Sequence, residues 1–359
     1  MQKAPTFTIP IDIRGGRSIG HDWGRANRLV VFNRTNYDRK KQSQNSTELV
    51  DVIRNVSFYE NQFSRSLISE SAELFKVVQR VSMKMDPLNR QELIKASRKY
   101  RSIIHLYQTK MRKENNEELL QLCQMFYQIE VIWNLCEILY MDIHPTGHLL
   151  NQLLAWIRWH YTDIVTKANE IISSEVYHLH NNYWSVILSY ICRCEIENAR
   201  RFLELHQDSD SEEFIHVCHL LNKMPINSPH LHLHEFYLRW QNWHDECKKC
   251  LDQGYFRKNT KIQLIVRLLC GESDVFIELT SLGIFDSWIQ MMAAILLYCD
   301  PCIKEYNLHL LSTECMEKFF QITKSKKYPF DHLLVAAFGY DLNEVIQESC
   351  ECFNDNWWF

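Results

Sequence analysis

The stretch of the chain that most constrains its fold runs from Glu130 to Tyr161. Its apolar side chains recur at helical spacing on both sides of one interruption, residues 144–147, whose sequence is His-Pro-Thr-Gly. Pro145 suits the first turn of the second helix, because proline lacks the N–H that would be unpaired there. Neither helix has a wide polar face, so we expect both to be buried on several sides. The segment holds no phosphate-binding glycine loop and no metal-ligand set, which favours an architectural role.

Composition favours a large helical protein from a reducing compartment. The 359 residues include only 9 Gly and 8 Pro, which favours long helices over turn-rich β structure. A formal net charge of −4 gives no global attraction to nucleic acid or to an anionic membrane. The 13 cysteines are odd in number, several lie within apolar helical patterns, and no signal peptide precedes them. No run reaches the roughly 18 apolar residues of a membrane span, so we expect no membrane insertion. The charge balance likewise leads us to expect no direct binding of nucleic acid.

The first 55 residues differ from the rest in their hydrophobic pattern. Between residues 6 and 13, apolar residues alternate with polar residues or proline, a period of two that predicts a β-strand. The continuous run Leu29–Phe32 is typical of a strand covered on both faces, and Leu49–Ile53 is a third candidate strand. The polar stretch between these two runs reads as a loop. The sequence thus predicts a short three-stranded β-blade over residues 1–55.

From about Phe58 onward, apolar residues recur at helical spacing to the end of the chain. Their spacing predicts these helices: a helix through Lys113 that is capped by Asp86 and Pro87, Glu117–Met141, the helix from Pro145, Tyr183–Arg193, Ile196–Leu205, Phe214–Met224, His234–Leu251, Ile262–Leu269, Ser287–Tyr298, His309–Phe320 and Asn343–Cys352. Helices of this length joined by short turns favour stacked antiparallel pairs, and no fixed-period consensus is present. The predicted fold class is therefore mainly α: an irregular α-helical solenoid over residues 56–359, preceded by the β-blade. We also expect Trp133 and Trp156 to be buried, because each lies on an apolar helical face.

Several residue clusters could suggest chemistry, but each has a simpler structural explanation. The pairs Cys247/Cys250 and Cys299/Cys302 have zinc-like spacing, yet the first lies on a predicted helix and the second flanks a helix-ending Asp-Pro turn. Cys218 lies between two histidines without an identifiable catalytic partner. The tryptophans at 240 and 243 lack the interleaved basic stripe of a base-stacking surface. We therefore expect no catalytic residues, no bound metal and no cofactor.

Five motifs together resemble one protein family. They are WNLCEILYMDIHPTGHLLNQLLAWIRWH at 133–160, HDWG at His21–Gly24, RKYRSII at Arg98–Ile104, LRWQNWHDEC at Leu238–Cys247, and LLVAAFGYDLNEVIQ to NWWF within Leu333–Phe359. Their order and spacing are similar to those of the Y-complex nucleoporin of about eighty-five kilodaltons, a nuclear pore scaffold family. In that family the last motif continues into further helices. The three aromatic residues at the end of the chain therefore suggest that it stops within the solenoid.

The resemblance implies a function as well as a fold. It implies an ancestral coatomer element, whose helices fold back into a trunk and a crown, that acts as a scaffold in nucleocytoplasmic transport, including mRNA export. The expected location is the nuclear pore, with the kinetochore in mitosis. The expected partners are other Y-complex nucleoporins and a Seh-type WD-repeat propeller that lacks one blade. The propeller-binding residues of the donated blade would be Phe7, Ile9, Ile11, Ile13, Trp23, Leu29, Val31, Phe32, Leu49 and Ile53.

Three alternatives remain open from the sequence. A vesicle-coat or membrane-tethering solenoid would share the architecture, since fold alone does not define function. An α-helical enzyme is a second alternative, for which the sequence offers no site. Finally, the N-terminal strands could fold back on the helices of their own chain instead of binding a propeller.

Overall fold

The computed structural model describes residues 18–23, 28–34, 50–53, 61–82, 89–114, 116–141, 149–225 and 232–353. Its N-terminal part is an antiparallel sheet of three strands: β1 (Ser18–Trp23), β2 (Arg28–Arg34) and β3 (Val50–Ile53), in the order β1-β2-β3. The predicted run Leu29–Phe32 falls within β2, and Leu49–Ile53 overlaps β3. The predicted strand over residues 6–13 lies outside the described residues. The sequence analysis assigned no strand to β1, whose central residues Gly20 and Asp22 have low β propensity.

The described residues from 61 onward are almost entirely helical. The α-helices are α1 (Gln62–Ser82), α2 (Asn89–Lys113), α3 (Glu117–Cys136), α4 (Leu149–His160), α5 (Asp163–Ile172), α6 (Tyr183–Cys192), α7 (Ile196–Glu204), α8 (Glu212–Lys223), α9 (Leu233–Asp252), α10 (Thr260–Leu269), α11 (Ser273–Ser281), α12 (Trp288–Cys299), α13 (Glu305–Thr323), α14 (Pro329–Phe338) and α15 (Leu342–Phe353). Most helices pack on their neighbours along the chain, which confirms the predicted irregular α-solenoid.

Local sequence signals account for several helix ends. The Asn259 side chain accepts hydrogen bonds from the Lys261 and Ile262 backbone N–H groups, at 3.0 and 3.2 Å, and so caps α10. The α14 helix begins with Pro329, whose missing N–H is harmless in a first turn. Two helices differ from their predictions: α3 stops at Cys136 and its last turn continues to Met141 as a π-helix, and α13 extends three or four residues beyond the predicted His309–Phe320 at each end. The predicted cap of α2 and the Pro145 turn both lie outside the described residues.

Late helices fold back onto early ones. The α12 helix contacts α4 and α6, and α14 contacts α3. Tyrosine hydroxyls form long-range links: Tyr298 donates to the Ile191 carbonyl at 2.8 Å, and Tyr140 donates to the Ala337 carbonyl at 3.1 Å. The Tyr140 ring also meets the Tyr340 ring edge-on, with centroids 5.6 Å apart. These contacts join the C-terminal helices to α3, α4 and α6 in one continuous core.

The α12 helix is the centre of this core. Almost every side chain from Trp288 to Tyr298 is buried, as expected of a helix that is apolar on all sides. Gly271, in the turn between α10 and α11, lets the backbone approach the end of α12. A Cβ atom at this position would lie 2.5 Å from the Tyr298 carbonyl oxygen, and the φ of +67° also favours glycine.

The two tryptophans expected to be buried have different environments. Trp156 is only 2% exposed, and its indole N–H donates to the Val131 carbonyl at 3.1 Å, which confirms the prediction for this residue. Trp133 is only partly buried, so the prediction was wrong for it. The reason is an open groove between α1, α2 and the end of α3, into which one side of the Trp133 ring faces.

Candidate partner-binding site

The N-terminal sheet contains part of the predicted propeller-binding set. The residues within the described strands are Trp23, Leu29, Val31, Phe32 and Ile53. The residues outside the described part of the chain are Phe7, Ile9, Ile11, Ile13 and Leu49.

The strand register brings three of the described positions to one end of the sheet. Leu29 in β2 pairs with Trp23 in β1 on one side and with Val52 in β3 on the other. Ile53, the last residue of β3, pairs with the neighbouring Arg28. Val31 lies two residues further along β2, opposite Val50. The backbone therefore places Trp23, Leu29 and Ile53 near the same end of the sheet, with Trp23 and Leu29 as cross-strand partners and Ile53 one residue out of register with them.

A second candidate surface is the open groove next to Trp133, which we call the α1–α3 groove. It has a volume of about 590 Å³. Its apolar lining comes from Ile68, Phe75 and Val78 on α1, Leu93 and Tyr100 on α2, and Trp133 and Met141 at the end of α3. The Tyr100 and Trp133 rings touch at a centroid distance of 4.8 Å, and the Trp133 indole N–H donates to the Ser97 hydroxyl at 2.9 Å.

The sequence analysis did not identify this groove. The bounds of α1 were not predicted, so its apolar positions were not assigned to one face of a helix. The available signal was the width of the apolar stripe, because Ile68, Phe75 and Val78 follow helical spacing beside the core positions Leu67 and Leu74. Some apolar stripes on a helix are wider than packing against the core requires. Such a stripe indicates either a deeper core or an exposed apolar surface.

Beneath the groove, a network of buried polar groups fixes α2 against α3. The carboxylate of Glu137 lies 3.1 Å from the Arg101 guanidinium and accepts a hydrogen bond of 2.6 Å from the Ser97 hydroxyl. Its other neighbour is Asn134, whose amide lies 3.3 Å away and also contacts His160. Because Glu137 is buried, these partners are needed to offset the loss of its hydration.

His160 is a buried histidine with a structural environment. Burial, with a smaller contribution from the charge of the nearby Arg101, lowers the pKa of His160 to about 3. The ring is therefore neutral at physiological pH. Its Nε2 atom lies 3.2 Å from the Asn134 amide oxygen, and the ring packs edge-on against Trp156. These contacts place His160 within the core and not in an open catalytic cleft.

The residues with zinc-like spacing do not converge in the structure. Cys247 is buried, Cys250 and Cys302 are partly buried, and Cys299 is exposed. Within the described ranges, no group of three or more His, Cys, Asp or Glu side chains could hold a metal ion. The His244 ring contacts the Cys270 carbonyl oxygen at 2.9 Å, so its hydrogen bond goes to the backbone.

Cys218 and Cys302 are also poor nucleophiles. Burial raises the pKa of Cys218, which two histidines flank at positions 216 and 219, and raises that of Cys302 to about 11. A thiol with a raised pKa carries little of the reactive thiolate at neutral pH. The helices that the structure describes include none that is both long enough and apolar enough to cross a membrane.

These features define a class: a folded-back α-solenoid with an N-terminal β-sheet and an apolar groove between its first helices. Comparison with known proteins gives the family. The model of the Nup85 nucleoporin family matches residues 49–359. The chain belongs to the Nup85 nucleoporin family, as its motifs suggested.

Individual relatives agree with this assignment. The chain is 31% identical over 358 residues to the nuclear pore complex protein Nup85 of Danio rerio, covering 96% of this chain and 54% of that protein. It is 29% identical to the Bos taurus Nup85, covering 99% of this chain and 56% of the relative. The Drosophila melanogaster nuclear pore complex protein Nup75 is 23% identical, covering 90% of this chain and 50% of the relative. The chain thus spans about half the length of these relatives.

Proposed function

We propose that the chain is a structural scaffold subunit of the nuclear pore complex, where it belongs to the Y-complex and catalyses no reaction. Family membership over residues 49–359 is the observation that carries this proposal. The relatives described above are named as nuclear pore complex proteins, which supports a location at the nuclear pore. As a scaffold, the chain supports nucleocytoplasmic transport, including mRNA export, and it joins the kinetochore in mitosis.

The architecture suits this role. In a solenoid, each helix contacts mainly its neighbours, so a chain of moderate length presents extended surfaces to several partners. Here the fold-back contacts of α12 and α14 stiffen the helical block, which suits a subunit that must hold partners at fixed distances. Other Y-complex nucleoporins are the partners that we propose for these surfaces.

We further propose that the N-terminal strands complete a Seh-type WD-repeat propeller by supplying a blade in trans. The support is an antiparallel three-stranded sheet that precedes a helical protein. Three strands of four to seven residues are marginally stable alone, and edge strands offer backbone groups for pairing with another chain. Strand addition would satisfy those groups in the partner.

The proposed contact residues of this blade are the apolar ones of the N-terminal segment: Phe7, Ile9, Ile11, Ile13, Trp23, Leu29, Val31, Phe32, Leu49 and Ile53. Each fully buried aliphatic side chain contributes roughly 1.5–3 kcal/mol, so several of them offset the cost of association. Proline at position 10 cannot donate a ladder hydrogen bond, so it belongs at a bulge or at the outer edge of the blade.

Affinity purification of the tagged chain from cells, followed by mass spectrometry, tests the scaffold proposal. We expect a WD-repeat propeller together with other nucleoporins. Recovery of coat or tether subunits would instead support the vesicle-coat alternative, which shares the solenoid architecture. Recovery of no stable partner would contradict the scaffold role altogether.

A further inference from the structure

The α1–α3 groove is unusual because aromatic side chains in it remain accessible to solvent. Phe75 is 59% exposed on its rim, and Tyr100 and Trp133 are only partly buried in its wall. Isolated exposed apolar residues are normal, but a contiguous concave apolar surface marks a binding site. The groove also combines Trp, Tyr, Phe and Met, the residue types that are enriched at the centres of protein interfaces.

The chemistry of the groove indicates an apolar occupant with some polar character. The Ser71 hydroxyl in its lining is buried and has no hydrogen-bond partner among the described residues. A backbone or hydroxyl group of an occupant would satisfy it. At the Met141 end, the exposed Arg90 guanidinium donates to the Met141 carbonyl at 2.9 Å and so places one cation there. The occupant therefore needs an apolar projection, ideally with an acidic side chain beside it.

Chain connectivity limits which partner is close enough to fill the groove. Residues 54–61 separate the end of β3 from the start of α1, and such a segment spans at most about 30 Å. Ile68, the first groove residue, lies about 9 Å further along α1. A partner that holds the β-sheet is therefore tethered beside the groove, at an effective concentration that favours a second contact.

We propose that the α1–α3 groove is a second binding surface for the same WD-repeat propeller, which inserts an apolar projection of its outer surface between α1, α2 and α3. This inference rests on the proposed blade donation, because the tethering argument requires the propeller to hold the N-terminal strands. The groove contact then fixes the orientation of the propeller on the helical block.

Binding of purified propeller to variants of the full chain tests this proposal. We expect Phe75→Asp to weaken binding by at least about tenfold, because it places a charge at the groove rim where an aromatic anchor is needed. Leu310→Asp is the matched control, since Leu310 is 69% exposed on α13, and we expect its affinity to equal that of the unchanged chain. Should Phe75→Asp lower the melting temperature, Ala72→Arg replaces it, because Ala72 is exposed at the groove and can bear a larger side chain.

The possible results distinguish failure of the groove contact from failure of blade donation. Unchanged affinity of the groove variants, with binding lost in a chain that begins at Phe58, would overturn the groove contact and keep blade donation. Unchanged affinity of both the groove variants and the shortened chain would overturn both. Light scattering adds one further outcome: if Phe75→Asp dissociates a homodimer while propeller binding is unchanged, the groove binds a second copy of this chain and the inference is wrong.

Discussion

Replacing Trp156 with alanine is the most direct test of the proposed helical core. Trp156 lies on α4, faces α3 and is only 2% exposed. It donates a hydrogen bond to the Val131 carbonyl at 3.1 Å and contacts the His160 and Tyr161 rings. Truncating a buried tryptophan typically costs about 3–5 kcal/mol, from lost transfer free energy and the cavity that remains. The additional loss of the hydrogen bond favours the middle of this range, about 4 kcal/mol.

This cost translates into a measurable change in melting temperature. The entropy of unfolding is about 2.1 cal/mol/K per residue, so a chain of 359 residues has about 0.75 kcal/mol/K. A loss of 4 kcal/mol therefore lowers the melting temperature by about 5 °C. Circular dichroism at 222 nm, a wavelength standard for helices, follows the transition.

The chain provides its own control three residues further along the same helix. Trp159 is 60% exposed, and its ring lies 6.0 Å from the His105 ring. Trp159→Ala makes the same chemical change without creating a buried cavity. We therefore expect it to lower the free energy of unfolding by less than about 1 kcal/mol. Equal melting temperatures for the two alanine variants would refute the assignment of Trp156 to the core. The melting temperature of Trp156→Phe should lie between those of Trp156→Ala and the unchanged protein, since this variant keeps an aromatic ring and loses the hydrogen bond.

Three further predictions concern the buried polar groups and metal binding. Arg101→Ala leaves the Glu137 carboxylate buried without its cation and should cost about 3 kcal/mol in urea denaturation; adding Glu137→Gln should recover part of this loss. The pKa of His160, about 3 when folded against an ordinary 6.5, means that its stabilising contribution is present above pH 6.5 and is lost as the pH falls toward 3. Between pH 7 and 5, the unchanged chain should therefore lose about 2 kcal/mol more stability than His160→Gln, whereas the exposed-site control His219→Gln should behave like the unchanged chain. Elemental analysis should find only sub-stoichiometric zinc, and one equivalent per chain would contradict the structural interpretation of the Cys-x-x-Cys pairs.

Much of the helical fold follows from local sequence patterns. Helices such as Trp288–Cys299 and Leu233–Asp252 lie within one or two residues of their predicted bounds, because helical spacing and caps are local signals. The spacing did not delimit α1, α5, α11 or α14, although the region around each was expected to be helical. The π-helical turn at the end of α3 was also missed, since no local pattern distinguishes it from an α-helical turn.

The sequence is less informative about contacts between distant elements. Nothing in the local pattern links Tyr140 to Ala337, because that contact depends on the path of the whole solenoid. The partial exposure of Trp133 has the same origin: its helix has an apolar face there, but α1 and α2 leave a groove beside it. For the candidate site, apolar alternation suggested the N-terminal binding residues. The α1–α3 groove required three helices to be placed together.

The measurement that tests the central claim most directly is the affinity of a purified Seh-type propeller for the full chain and for a chain that begins at Phe58. Isothermal titration calorimetry gives both affinities and the stoichiometry. The account predicts a stable one-to-one complex with the full chain and at least about a hundredfold weaker binding by the shortened chain, because removal of the strands eliminates the donated blade. Equal affinity of the two chains would contradict blade donation.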